Sequence, residues 1–144
     1  MKASLPKLAV FVAVFAVAAC SAMMSLTISG GLDRPVVGFD DGREVCVDYL
    51  DVRDVAAPGQ SLWTLRAVGV RCARVGQIVY GETPRGFLVE TPPTPLSADA
   101  SYEIFGKGRT TNLMAKVPWS GGLRVQYRDG AWREATIARV APAT

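Results

Sequence analysis

From Pro35 onward the chain is cut about every ten residues by Gly, Pro or Asp, and the runs between the cuts are short, β-branched or alternating. No apolar spacing of helical period survives that punctuation. Strands are therefore the regular element this region predicts, and eight or nine of them in one chain of this length predict an all-β, antiparallel β-sandwich, with a small barrel as the other closure.

Pro35 to Phe39 and Glu44 to Leu50 flank Asp41-Gly42, a pair suited to a type I′ turn, and are expected to form a hairpin. Period two then puts Val45, Val47 and Tyr49 on one face and Cys46, Asp48 and Leu50 on the other. Ser61 to Val68, with Trp63, Leu65 and Ala67 alternating against Thr64 and Arg66, reads as the third strand, and Cys72 to Tyr80 as the fourth. Gly81 to Gly86 is a turn, Gly86 to Glu90 a short strand, and Pro92-Pro93-Thr94-Pro95 a connection that cannot join a ladder. Tyr102 to Phe105 and Thr111 to Val117 are expected to pair around Gly106-Lys107-Gly108. Leu123 to Arg128 and Ala131 to Val140 should pair around Asp129-Gly130, with Tyr127 opposite Trp132.

Leu96 followed by Tyr102 just before an apolar strand resembles the tyrosine corner of fibronectin type III and related immunoglobulin-like domains, with Ala98 where that motif carries proline. The resemblance implies that Tyr102 hydrogen-bonds back to the backbone near Leu96. Together with Tyr80-Gly81 and Pro84-Arg85-Gly86-Phe87, this segment also looks like small proteobacterial lipoproteins, a likeness that brings no activity with it.

The other end of the chain is unlike the rest. Lys2 and Lys7 precede an unbroken apolar run from Leu8 to Ala19, the order of a secretory signal peptide. Val17-Ala18-Ala19-Cys20 resembles the bacterial lipobox, which implies cleavage before Cys20 and lipid on its thiol. Ser21 stands where aspartate would retain the product in the inner membrane, so the resemblance implies an envelope location facing the periplasm, at the outer membrane. Two other outcomes stay open. Apolar character continues to Ile28, long enough for an uncleaved spanning helix, and cleavage after Ala18 would release the domain. The resulting division is residues 1–19 as signal segment, 20–33 as lipidated Cys20 and a flexible tether, and 34–144 as the sandwich. With Cys20 given to lipid, Cys46 and Cys72 remain as a pair that an exported chain would oxidise, closing a loop of about 27 residues worth roughly 3.5 kcal/mol.

Composition narrows function mainly by exclusion. Without Lys2 and Lys7 the 16 basic residues become 14 against 13 acidic ones, too even a balance to mark a nucleic-acid partner. Histidine is absent, which removes Ser–His and Cys–His nucleophile systems. Asp48, Asp51 and Asp54 alternate faces in a strand and lack the glycine and glutamate of a calcium loop. Glu82, Glu90, Glu103 and Glu134 are expected to be solvated, as are Arg66, Arg71 and Arg74 on a sheet face. Trp119, between Pro118 and Ser120-Gly121-Gly122, is expected at a loop tip, either exposed as a contact for a partner or ligand or folded back over the core. No cofactor and no metal is expected. The sequence predicts a non-catalytic envelope lipoprotein, attached to the membrane through Cys20 and contacting another envelope protein. The alternatives are a small-ligand or cell-wall glycan module and an inhibitor of a wall-degrading enzyme.

Overall fold

The structure, a computed structural model, describes residues 22–69, 72–110 and 117–135. The expected signal segment and Cys20 lie outside the described residues, as does the expected strand over residues 111–117 except for its last residue. The described residues hold eleven strands and no α-helix. They are β1 (Ala22–Met23), β2 (Leu26–Ser29), β3 (Val36–Phe39), β4 (Val45–Asp54), β5 (Ser61–Ala67), β6 (Ala73–Val75), β7 (Gln77–Val79), β8 (Phe87–Thr91), β9 (Ser101–Arg109), β10 (Pro118–Arg128) and β11 (Ala131–Glu134). Among them no helix is long and apolar enough to cross a membrane.

The strands form a sandwich of two sheets. The larger runs β1-β10-β9-β4-β5-β8, with β11 beside β10 and β6 beside β4, and the smaller runs β2-β3-β7. Every pairing is antiparallel except that of β1 with β10. Val37, Phe39 and Ile78 of the smaller sheet meet Val47, Leu50, Val52, Trp63, Leu65, Ile104 and Val125 of the larger, all at most 2 % exposed. Burying one such side chain contributes about 1.5–3 kcal/mol, so this layer holds the sheets together.

Two expected hairpins are absent, for related reasons. Asp40, Asp41 and Gly42 do take positive φ, at 43°, 56° and 84°. Their turn, however, sends the chain from the small sheet to the large one, so β3 and β4 never pair. At Gly106-Lys107-Gly108 there is no turn, because β9 runs straight through to Arg109 and pairs with β10 along nine residues. The expected fourth strand is cut at Gly76 into β6, on β4, and β7, on β3. By contrast β5 and β8 lie where the pattern put them. The Asp129-Gly130 hairpin also forms, at φ 54° and 74°, with Tyr127 opposite Trp132 and their rings 5.1 Å apart.

The strict alternation expected along β4 fails at Asp48. A register shift between Val47 and Tyr49 changes the phase, so Val45 and Val47 face the core together with Leu50 and Val52. The expected tether is not there either. Ala22–Met23 pairs with Trp119–Ser120, Met24 N donates to the Ser120 carbonyl at 3.0 Å, and Leu26 is 5 % exposed in the core. Apolar Met24, Leu26 and Ile28 continue the Leu8–Ala19 apolar run in sequence but pack into the sandwich.

Two tyrosines pin the long connection between β8 and β9. The buried Tyr102 hydroxyl accepts from Ser97 N at 2.6 Å and donates to the Ser97 carbonyl at 3.2 Å, beside Leu96 as the corner implied. Tyr80 donates to the Thr94 carbonyl at 2.6 Å, and burial pushes its phenol up to about 12. Cys46 and Cys72 form a disulfide with Cα atoms 5.2 Å apart, tying β4 to the chain entering β6.

Candidate functional site

Trp119 is not at a loop tip. It lies inside β10, is 2 % exposed, and its ring fills the space left by Gly106 and Gly108, where a Cβ would meet it at 3.4 Å and 2.8 Å. Its indole N–H donates to the Cys46 carbonyl at 3.1 Å. Gly121 and Gly122, which suggest a loop tip, continue β10, and Gly106 and Gly108 are the holes into which the ring packs, so Trp119 offers no ring face to a ligand or partner.

The outer face of the large sheet carries the exposed side chains of β9. Alternation along β9 sends Tyr102, Ile104, Gly106 and Gly108 inward and Glu103, Phe105 and Lys107 outward. Cross-strand register then builds rows over several strands. One row is Gly122, Phe105, Asp51, Thr64 and Thr91; the next is Ser120, Lys107, Tyr49, Arg66 and Leu88. Phe105 is 38 % exposed beside Gly122, which has no side chain to cover it. It walls two hollows: about 190 Å³ beside Asp51, Arg53 and Glu103, and about 440 Å³ bounded by Lys107, Arg109 and Pro118.

The charges on this face are ordered. Tyr49 lies between two cations, with Arg66 5.2 Å and Lys107 5.1 Å from its ring centre. Such contacts contribute about 0.5–1 kcal/mol each at exposed positions and fix the ring in place. Arg66 forks onto Glu90, and that hydrogen bond holds the Glu90 carboxyl below its ordinary range and the guanidinium above its own. Arg109 forks onto Asp48 at 3.0 and 3.2 Å, which raises its pKa, and Arg124 reaches Glu103 at 3.0 Å. Asp51 is 2 % exposed and is satisfied by the Thr64 hydroxyl at 3.1 Å and by Arg53, whose pKa it raises. The result is a flat surface of fixed aromatics and preset ion pairs.

These partners also dispose of the acidic candidates. Asp48, Asp51 and Asp54 do not converge: they engage Arg109, Thr64 with Arg53, and the Ala56 backbone N–H respectively. Glu82, Glu90 and Glu103 each face an arginine, from Arg34, Arg66 and Arg124. Among the described residues no group of three or more His, Cys, Asp or Glu side chains is placed to hold a metal. Arg74 meets Glu44, and Arg71 lies outside the described residues. A turn at Gly106-Lys107-Gly108 hides Phe105 and Lys107 in the sequence, whereas alternation carried through those glycines puts both on one face; Tyr49 is hidden separately, by the register shift at Asp48 that moves it off the face of Val45 and Val47.

A further concavity opens at the end of the sandwich, about 610 Å³, lined by Asp33, Tyr80, Pro93, Pro95, Leu96 and Tyr127 among others. Tyr127 is held from behind by Trp132 at 5.1 Å. No protein-family model, no curated protein and no solved structure matches this chain, so the reading of both surfaces rests on their own geometry.

Proposed function

We propose that this chain is a non-catalytic lipoprotein of the bacterial cell envelope, anchored through Cys20, whose sandwich binds another envelope protein with the outer face of its large sheet. Export is supported by the order of Lys2, Lys7, the Leu8–Ala19 run and the Val17-Ala18-Ala19-Cys20 motif, together with a disulfide of the kind that persists in oxidising compartments. Ser21 after the cysteine favours the outer membrane. An immunoglobulin or fibronectin type III-like identity is supported by the tyrosine corner and by the strand order. In that order β2-β3-β7 correspond to strands A, B and E, and β10-β9-β4-β5 to G, F, C and C′. The extra strand β8 between E and F departs from that plan.

The observation that carries the binding role is Phe105, exposed at 38 % between two hollows on a face where the neighbouring arginines are already paired. Aromatic anchors ringed by arginine are the usual composition of contact hot spots. A photo-crosslinking side chain placed at Phe105 in cells should capture one reproducible envelope protein, and Phe105→Ala should lose it while leaving the domain folded. A chain that crosslinks to nothing in its own membrane refutes the role.

The end cleft favours a second reading, a module for cell-wall glycan, with Tyr127 rather than the buried Trp119 as the aromatic contact. Titration with wall fragments should then change the fluorescence of Trp132, which packs against Tyr127. An unchanged spectrum at saturating fragment counts against it.

A further inference from the structure

We propose that the sandwich docks on the bilayer surface through its β1 edge, with the Met23 side chain seated among the lipids. The proposal rests on the reading that the N-terminal segment anchors the chain, by lipid on Cys20 or as a retained helix. Its first support is chain length. β1 starts at Ala22, two residues beyond Cys20, and two residues span at most about 7 Å. There is no slack to take up that distance, because Ala22–Met23 is paired with Trp119–Ser120 and the chain passes directly into the core at Leu26. An anchor at Cys20 therefore brings this edge of the sheet to the membrane.

The second support is what that edge presents. Met23 is 90 % exposed, the most exposed large apolar side chain among the described residues. In register it stands beside Ser120, and the next residue across the sheet is Lys107. Lys107 meets no carboxylate among the described residues and is held over Tyr49, which keeps a positive charge on this face two strands in from the edge. A flexible apolar side chain beside a fixed cation suits the boundary between acyl chains and headgroups. It also orients the outer face: Phe105, in the adjoining row, lies close above the membrane rather than far from it.

The test uses the full-length, membrane-processed protein in vesicles of phosphatidylethanolamine and phosphatidylglycerol. An environment-sensitive fluorophore is attached at Met23→Cys or, as control, at Asp129→Cys. The control lies at the far end of β10, nine residues from Ser120 and thus roughly 30 Å away. Brominated lipid should quench the label at position 23 several-fold more than the label at 129, and its emission should shift to the blue. If the protein floats with the vesicles while both labels are quenched equally weakly, the anchor stands and the docking is wrong. If it does not float and the mature N-terminus carries no lipid or helix, the anchoring reading fails and the docking falls with it.

Discussion

Replacing Trp119 by phenylalanine should destabilise the domain more than the same replacement at Trp63, although the two side chains are equally hidden, at 2 % and 0 % exposure. Both substitutions remove the same atoms from the core, so the lost transfer energy and the cavity cost are similar in size. The difference lies in the indole N–H. At Trp119 it donates to the Cys46 carbonyl at 3.1 Å, and removing that donor costs about 1 kcal/mol, or as much as about 3 if the carbonyl is left dry. At Trp63 the buried Nε1 has no partner among the described residues, so phenylalanine relieves a desolvation cost of about 1–3 kcal/mol. Trp119→Phe should therefore be the worse substitution by about 2 kcal/mol or more, a sizeable part of a total stability of about 5–15 kcal/mol. Urea unfolding followed by circular dichroism reads this as a lower midpoint at unchanged slope. Two results would refute the reasoning. One is a Trp63→Phe cost equal to or above that of Trp119→Phe. The other is a Trp119→Phe cost within about 0.5 kcal/mol of zero, the value expected of a tryptophan on the surface.

The Cys46→Ala, Cys72→Ala double variant should lose about 3.5 kcal/mol from reopening a loop of about 27 residues, and a urea midpoint equal to that of the oxidised protein would contradict this. Tyr80 is held neutral by burial, with its phenol raised from 10 to about 12, so its contribution is fully present below pH 10 and is lost as pH climbs through 12. Stability measured across that window should fall less steeply in Tyr80→Phe, and parallel curves would show that the phenol is not the cause. Asp51 and Thr64 share one buried hydrogen bond, so Asp51→Ala and Thr64→Val should couple by about 0.5–3 kcal/mol in a double-mutant cycle. Strict additivity of the two would rule that contact out as a stabilising one.

The parts of the fold that were legible in the sequence are those where local chemistry and global placement coincide. Trp63, Leu65 and Ala67 alternate inward because β5 is regular across their length, and Asp129-Gly130 turns a hairpin because the strands it joins pair with each other. Elsewhere the local signal was right and its consequence was not. Asp41-Gly42 has the positive φ its residues favour, yet positive φ fixes only the path of the turn, and the turn can close a hairpin or change sheets. The decision belongs to packing: Phe39 before the turn and Val45 after it both reach the core, from opposite sheets. Glycine misled for a different reason. Gly106 and Gly108 can end a strand or make room within one, and the sequence around them does not distinguish the two. The side chain that needs the room, Trp119, is eleven and thirteen residues away in sequence and becomes a neighbour only when β10 pairs with β9. That ambiguity hides Phe105 and Lys107, and the register shift at Asp48 hides Tyr49. Once β9 continues through the glycines, Phe105 ceases to be the last residue of a short strand and joins a row that crosses five strands. The cost of burying Trp119 and the exposure of Phe105 are then two sides of one arrangement: the inner face of β9 is kept bare by glycine so that the ring can enter, while the outer face carries Phe105 at the surface and Lys107 over Tyr49.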